Sequence, residues 1–205
     1  MILTFEIITF VLTGVLIYHS LRVRGTVFTV LFFVTGAILG VLRENIVARL
    51  TGLYAYNPDV FTLWVGAAPA ILMVFWSFSV YISLTLSERL VHGDFLNGRR
   101  TIPIILLSMA FMGAYAASNE AMASVYPMVL WKFVPDVAVW GGAPLMVVFG
   151  YAGLAALMLI GVYGIQRRRW RGWVKVLVGA LSTLIIIPLH LAWIALVRAV
   201  IGLFV

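Results

Sequence analysis

The sequence predicts an all-α fold, a polytopic membrane helix bundle of about six transmembrane helices that forms a single integral membrane domain over residues 1–205. The chain is 64% hydrophobic and 10% charged, with a mean hydropathy of +1.12, which is more apolar than a soluble domain of this size needs to be. Several stretches exceed the roughly 18 apolar residues that a spanning helix requires. The chain has no cysteines, which excludes disulfides, zinc–thiolate sites and thiol catalysis.

Six apolar stretches are the predicted spans, with polar connections between them. The first has Glu6 near its start and lacks both a basic n-region and a small-residue cleavage site, so we expect a retained helix rather than a signal peptide. The last is long for a bilayer and is expected to tilt or protrude. The spans cover residues 2–20, 26–44, 61–86, 102–120, 141–165 and 174–204.

Basic residues concentrate in the first, third and fifth connections. The positive-inside rule places those connections in the cytoplasm, so both termini are predicted to lie outside the cell membrane, as are the even connections 45–60 and 121–140. Topology and contact with anionic membrane lipids explain the net charge of +7, and nucleic-acid binding is not expected. The basic residues of these three connections are Arg22, Arg24, Arg89, Arg99, Arg100, Arg167, Arg168, Arg169, Arg171 and Lys175.

Spans two and three look like a parallel internal repeat of spans four and five. An offset of 75 residues aligns Gly-Ala-Ala-Pro at 66–69 with Gly-Gly-Ala-Pro at 141–144, and it carries Trp76 onto Tyr151. Proline is tolerated in the first turn of a helix, and small residues allow close helix approach. Both segments are therefore predicted helix starts.

Glu44 and Glu120 are the candidate catalytic carboxyl groups, with Asn119 beside them. The same offset carries Glu44 onto Asn119, one residue before Glu120. Burying an ionisable group in a membrane span costs free energy, so such a group indicates a functional role. Burial also favours the neutral form of a carboxylic acid, which is the form that alkene hydration needs. The competing interpretation places both acids at the outer interface, solvated or paired with an arginine. The candidate partners are Arg43, Arg49 and Arg198.

Aromatic residues crowd the two outer connections. Tyr and Trp collect at membrane interfaces in any case, so an interfacial belt is the competing interpretation. Inside a pocket, the same rings would stack on a conjugated polyene and stabilise a carbocation through their π faces. Trp76 and Tyr151 are better placed for this role, since they lie deeper along their predicted helices. The candidate substrate-binding residues are Tyr54, Tyr56, Trp76, Tyr126, Trp131 and Tyr151.

Metal and haem sites are not expected. Spacings such as His-x-x-x-His are absent from the sequence, as are the glycine-rich nucleotide fingerprints and the Gly-x-Ser-x-Gly motif. Among the three histidines only His190 lies mid-span, and a core histidine with satisfied hydrogen bonds is its simplest interpretation. The lack of paired Asp-rich motifs argues against a magnesium-dependent prenyltransferase.

The order of motifs in the two units resembles the integral-membrane carotenoid biosynthesis family, which includes bacterioruberin-pathway hydratases and related carotenoid 1,2-hydratases. The resemblance covers roughly residues 40–155. In the first unit it rests on Glu44, then Gly52-Leu53-Tyr54-Ala55-Tyr56, then Gly66-Ala67-Ala68-Pro69, and Trp76. In the second it rests on Glu120, Pro127, Trp131, Gly142-Ala143-Pro144 and Phe149-Gly150-Tyr151.

The resemblance implies addition of water to the terminal double bond of an acyclic carotenoid or related polyisoprenoid, without an organic cofactor. Glu44 or Glu120 would donate a proton to the less substituted alkene carbon. The rings of Trp76, Tyr54 or Tyr56 would face the resulting tertiary cation. A water held by Asn119 or by the second carboxylate would then capture it.

Two other classes of function stay open on the sequence alone. A parallel repeat with acids near its interface suits a small proton-coupled transporter. A non-catalytic scaffold or lipid-binding subunit would use small-residue faces for packing. Gly36 and Gly40 form such a face, which could pack within the fold or against a partner, including a second copy of the chain.

Overall fold

Six α-helices account for most of the described chain. The computed structural model describes residues 2–47, 49, 54–125, 128–131 and 144–202. Within these residues, all helices except the third are long and apolar enough to cross a membrane, which is consistent with a multi-pass membrane protein. The helices are α1 (Ile2–Arg24), α2 (Thr26–Ile46), α3 (Leu72–Leu90), α4 (Thr101–Val125), α5 (Leu145–Gln166) and α6 (Gly172–Ile201).

The connections are not purely irregular, so the all-α prediction needs a correction. Strand β1 (Tyr54–Tyr56) pairs antiparallel with β4 (Val129–Trp131), which joins the two connections predicted to be outside. Strands β2 (Trp64–Val65) and β3 (Ala68–Pro69) form a short hairpin. Aromatic and β-branched residues, which favour strands, supply most of these positions.

The third predicted span is wrong in its first part, because α3 begins at Leu72 rather than at 61. Gly66 has a φ of +67° and opens the two-residue turn between β2 and β3, a conformation that favours glycine. Pro69 is therefore in a strand and not in a helical first turn. In the second unit, by contrast, Pro144 directly precedes α5.

The other five predicted spans are helices whose ends lie close to the predicted ones. The largest shift is at the C-terminal end of α4, which reaches Val125 instead of residue 120. Residues 141–143, which open the predicted fifth span, lie outside the described residues.

α3 occupies the interior of the bundle, between α2 and α4. Its row of buried serines lowers its hydropathy and provides a narrow face. Ser87 receives a hydrogen bond of 3.0 Å from Ser108 of α4, and it donates one of 2.7 Å to the carbonyl of Ser83 within α3. These two serines are thereby paired within the bundle, as an apolar surrounding requires.

The small-residue face of α2 packs within the fold against α3. A Cβ atom added to Gly36 would lie 2.6 Å from Cβ of Ser77, and one added to Gly40 would lie 2.2 Å from the carbonyl oxygen of Leu72. Only glycine allows the two backbones to approach this closely. This face is thus occupied by the chain itself.

A partly buried ion pair closes the end of the bundle opposite the β1–β4 pair. The Arg24 guanidinium donates to both carboxylate oxygens of Glu88, and its Nε lies 3.4 Å from the Tyr81 hydroxyl. Glu88 also accepts a 2.8 Å hydrogen bond from the backbone N–H of Phe95. One charged pair therefore connects α1, α3 and the loop that leads to α4.

Candidate functional site

The two candidate acids line one cavity of about 100 Å³. Glu44 is only 1% exposed and Glu120 is 6% exposed, so neither acid faces bulk solvent. The cavity brings together seven of the nine residues predicted for the site from the sequence. Those seven are Glu44, Asn119, Glu120, Tyr54, Tyr56, Trp76 and Tyr151.

Two predicted site residues cannot be placed in the cavity. Tyr126 lies outside the described residues. Trp131 ends β4, where its backbone pairs with Tyr54, and only its backbone is described.

Four hydrogen-bond donors converge on the Glu44 carboxylate. Its Oε1 accepts from Nη1 of Arg43 and from Nε1 of Trp76 at 3.0 Å. Its Oε2 accepts from the hydroxyls of Tyr54 at 2.5 Å and Tyr56 at 2.6 Å. A carboxylate offers about four lone-pair positions, so this arrangement occupies all of them. Glu44 is therefore an ion-paired anion, held by donors from α2, α3 and β1.

The last turn of α2 and the alternation of β1 produce this arrangement. Arg43 and Glu44 point into the cavity, whereas Asn45 reaches the β2–β3 turn, where it accepts from the N–H of Ala67 at 2.7 Å. Side chains two apart in a strand lie on the same face, so Tyr54 and Tyr56 both reach Glu44. Three consecutive helical residues thereby fix the anion and the loop beside it.

The two tyrosines of β1 are held in their neutral, donating form. Burial raises the pKa of Tyr54 and Tyr56 well above the usual range of a phenol, and the negative charge of Glu44 raises both further. Their hydroxyls therefore remain donors toward Glu44 over the whole physiological pH range.

Glu120 has a much poorer set of partners than Glu44. Its Oε1 receives only a long hydrogen bond, 3.4 Å, from the hydroxyl of Tyr151. Its Oε2 is buried and has no hydrogen-bond partner among the described residues. A carboxyl group in an apolar cavity, with one long hydrogen bond and no adjacent cation bonded to it, favours the neutral acid over the anion.

Aromatic rings separate the two acids. The rings of Trp76 and Tyr151 lie 4.7 Å apart, and Phe75 meets Tyr151 edge to face at 6.3 Å. The Arg43 guanidinium lies 5.5 Å from the centre of the Trp76 ring. The cavity thus offers π faces between a fixed ion pair and an unpaired carboxyl group.

Sequence reasoning missed the apolar wall of the cavity and gave Arg43 only the role of a possible ion-pair partner. The missed wall residues include Phe61, Phe75, Met146 and Ile194. In a span that is apolar on all sides, no pattern separates a residue facing a cavity from one facing lipid. For Arg43 there was a signal, since a cation next to an acid inside a span indicates a buried pair.

Behind the cavity, two side chains of α6 bond to consecutive carbonyls of α5. His190 Nε2 lies 2.9 Å from the carbonyl oxygen of Gly150, and Trp193 Nε1 donates to that of Phe149 at 2.8 Å. These carbonyls belong to the two residues that precede Tyr151 in the chain. His190 is completely buried, and its Nδ1 has no partner among the described residues, so the satisfied histidine expected from the sequence is only half satisfied.

In the described part of the chain, no group of three or more His, Cys, Asp or Glu side chains is arranged to hold a metal ion. Comparisons with protein-family models, with curated proteins and with solved structures found no match.

Proposed function

We propose that the protein is a membrane-embedded hydratase that adds water to a terminal double bond of an acyclic carotenoid or related polyisoprenoid. The observation that carries the proposal is the meeting of two buried carboxyl groups in one ring-lined cavity. Hydration of an alkene requires an acid that protonates it, groups that stabilise the cation and a water that captures it, and the cavity supplies the first two. An apolar chain would reach such a site from the surrounding lipid.

The dimensions of the cavity favour a substrate that inserts only its end. A dry cavity of roughly 150 Å³ can hold a benzene ring. At about 100 Å³, this one is smaller still, so it admits at most the branched end of a chain and not a whole polyene. The remainder of the chain would lie along the apolar helix surfaces.

The proposed reaction is balanced without a cofactor. The π electrons of the terminal double bond form a new C–H bond with the acid's proton, which leaves a tertiary carbocation beside the Trp76 and Tyr151 rings. A lone pair of water, held beside Asn119, then forms the C–O bond. The resulting oxonium loses its extra proton to a carboxylate, so alkene and water become a tertiary alcohol.

The pairing of β1 with β4 supports the parallel internal repeat. The 75-residue offset carries residues 54–56 onto 129–131, which are the two paired strands. Ala55 pairs with Leu130, which is the residue that the offset assigns to it. Tyr54 pairs with Trp131, the equivalent of Tyr56, and Tyr56 pairs with Val129, the equivalent of Tyr54. A pseudo-two-fold axis through this central pair produces such a register, and it relates Trp76 to Tyr151 across the cavity.

We also infer that α3 crosses the membrane, which makes six spans. Its 19 residues extend about 28 Å, close to the thickness of the hydrocarbon core. The positive-inside rule then places both termini and the cavity on the extracytoplasmic side of the cell membrane.

The test is turnover of an acyclic carotenoid by the purified protein in detergent. The wild type is expected to yield a product heavier by one water, and a Glu44→Gln, Glu120→Gln double variant to yield none. Glu6→Gln is the matched control, because Glu6 is also buried but bonds Thr62 away from the cavity.

Equal product from the double variant and the wild type would overturn the assignment of the acids. If no substrate reacts, proton-linked uptake in proteoliposomes would indicate a small transporter instead. If both assays are negative, a scaffold or lipid-binding subunit is the remaining class.

A further inference from the structure

We propose that the two carboxyl groups have different and fixed roles: Glu120 carries the mobile proton, and Glu44 is a permanent anion that takes no part in proton transfer. The catalytic half of this statement rests on the proposed hydration. The protonation states themselves do not, and they can be measured without any substrate.

Glu44 has no position left from which to exchange a proton with a substrate or water. Both of its oxygens accept two hydrogen bonds each, and one of the four donors is the guanidinium of Arg43. Protonating Glu44 would leave Arg43 as an uncompensated buried cation and would displace a donor. The ion pair is therefore a fixed dipole next to the cavity.

Glu120 faces groups that leave it free to be neutral. From α5 it meets the Tyr151 hydroxyl, and from α2 it shares the cavity with the Arg43–Glu44 pair, whose charges largely cancel. β1 contributes Tyr54 and Tyr56, whose hydroxyls are directed to Glu44. Its Oε2 is the only buried carboxylate oxygen without a partner in the described residues.

The internal repeat explains why the two acids differ. The offset carries Tyr54 onto Val129, which lines the cavity but has no hydroxyl to donate. The residue that precedes the acid is Arg43 in the first unit and Asn119 in the second. The second unit has its acid one position beyond the image of Glu44, and it lacks the arginine and the β-strand tyrosine that fix Glu44 as an anion.

A single carboxyl group is sufficient for the whole cycle. Glu120 gives its proton to the alkene carbon and becomes a carboxylate, which stabilises the carbocation. Water adds to the cation, and the oxonium returns a proton to Glu120, so the enzyme ends as it began. Glu44 needs neither to gain nor to lose a proton.

Infrared spectroscopy of the purified protein at neutral pH tests the assignment directly. A protonated carboxyl group has a C=O stretch distinct from the bands of a carboxylate. We expect such a band in the wild type, in the charge-neutral double variant Arg43→Met, Glu44→Gln and in the control Glu6→Gln, and its loss in Glu120→Gln. Loss of the band in the Arg43→Met, Glu44→Gln variant, its survival in Glu120→Gln, or its absence from the wild type would overturn the proposal.

A second pair of variants tests the cause and does not require removal of either acid. Asn119→Arg places a cation beside Glu120, in the relation that Arg43 has to Glu44, and is expected to abolish both the band and turnover. Ser118→Arg is the matched control, because Ser118 is exposed and bonds the carbonyl of Ala114 outside the cavity. It should retain both.

The two measurements, the infrared band and turnover, separate the proposal about Glu120 from the hydratase proposal. If the band behaves as expected but no carotenoid is hydrated, the hydratase proposal fails and the assignment of Glu120 stands. If Asn119→Arg retains the band, the assignment fails whatever the substrate.

Discussion

Arg43 is the residue on which the integrity of the cavity depends most. It is buried, compensates the charge of Glu44 and also lies 3.2 Å from the Tyr54 hydroxyl. Breaking one partner of a buried ion pair costs about 3–5 kcal/mol, because the other charge is left uncompensated. Arg43→Met should therefore lower the thermal unfolding midpoint in detergent strongly.

Arg49→Met is the control for this prediction, since Arg49 is exposed a few residues further along the chain. It should change the midpoint little. The double variant Arg43→Met, Glu44→Gln should regain part of the loss, because it removes both charges. A double variant less stable than Arg43→Met would show that the ion pair is not the source of the effect.

At the scale of the elements, the contact between α2 and α3 depends on two glycines. Gly40→Ala would drive a methyl group into the backbone of Leu72, and overpacking of this kind costs about 1–3 kcal/mol. We expect Gly40→Ala to lower the unfolding midpoint, and Gly36→Ala to act in the same direction. Gly164→Ala should be neutral, as an added Cβ there meets nothing within 4 Å.

The pairing of β1 with β4 can be tested by a crosslink, because the chain contains no cysteine. Directly opposite residues of antiparallel strands have Cα atoms about 4.5–5.5 Å apart, which is within the range of a disulfide. Ala55→Cys with Leu130→Cys should form an intramolecular disulfide under mild oxidation, seen as a shift in non-reducing gel mobility.

Ala55→Cys with Val129→Cys is the control pair for the crosslink, since it closes a loop of nearly the same length but Val129 lines the cavity, on the face of β4 opposite to that of Leu130. It should form no intramolecular disulfide. Equal crosslinking of both pairs would contradict the register in which Ala55 faces Leu130.

For the whole molecule, thiol labelling tests the orientation and the crossing of α3 together. Asp59 and Asn97 are exposed on the connections that precede and follow α3. A membrane-impermeant reagent applied to intact cells should label Asp59→Cys and not Asn97→Cys. Arg169→Cys, between α5 and α6, should be protected as well.

Labelling of Asp59→Cys and Asn97→Cys alike would mean that α3 does not cross. The reverse pattern, with Asn97→Cys labelled and Asp59→Cys protected, would invert the orientation. Permeabilised cells, in which every exposed cysteine reacts, provide the control for accessibility.

The sequence was sufficient for the helices other than the start of α3, and for the acids and most aromatic residues of the cavity, because these follow from local composition. Long apolar stretches specify helices in a membrane, and charged residues within them, such as Glu44 and Glu120, are rare enough to be noticed. The aromatic residues Trp76 and Tyr151 were found through the predicted repeat. These signals do not require knowledge of the packing.

The sequence was not sufficient where tertiary contacts decide the outcome. The start of α3 was misplaced because the Asn45 side chain bonds the Val65 and Ala67 backbone and fixes the hairpin there. The difference between the two acids also depends on contacts, since Tyr54 and Tyr56 reach Glu44 only through the fold. Apolar wall residues such as Ile194 left no local signal.

The hydrogen bonds from α6 to α5 link the position of α6 in the bilayer to the geometry of the cavity. With 30 residues, α6 is about 45 Å long, whereas the hydrocarbon region measures roughly 30 Å, so it tilts within that region or protrudes from it. Lipids with longer or shorter acyl chains change the tilt that such a helix adopts. Because His190 and Trp193 bond α5 just ahead of Tyr151, we expect a change in the tilt of α6 to shift the Tyr151 hydroxyl that meets Glu120, and turnover to depend on acyl-chain length.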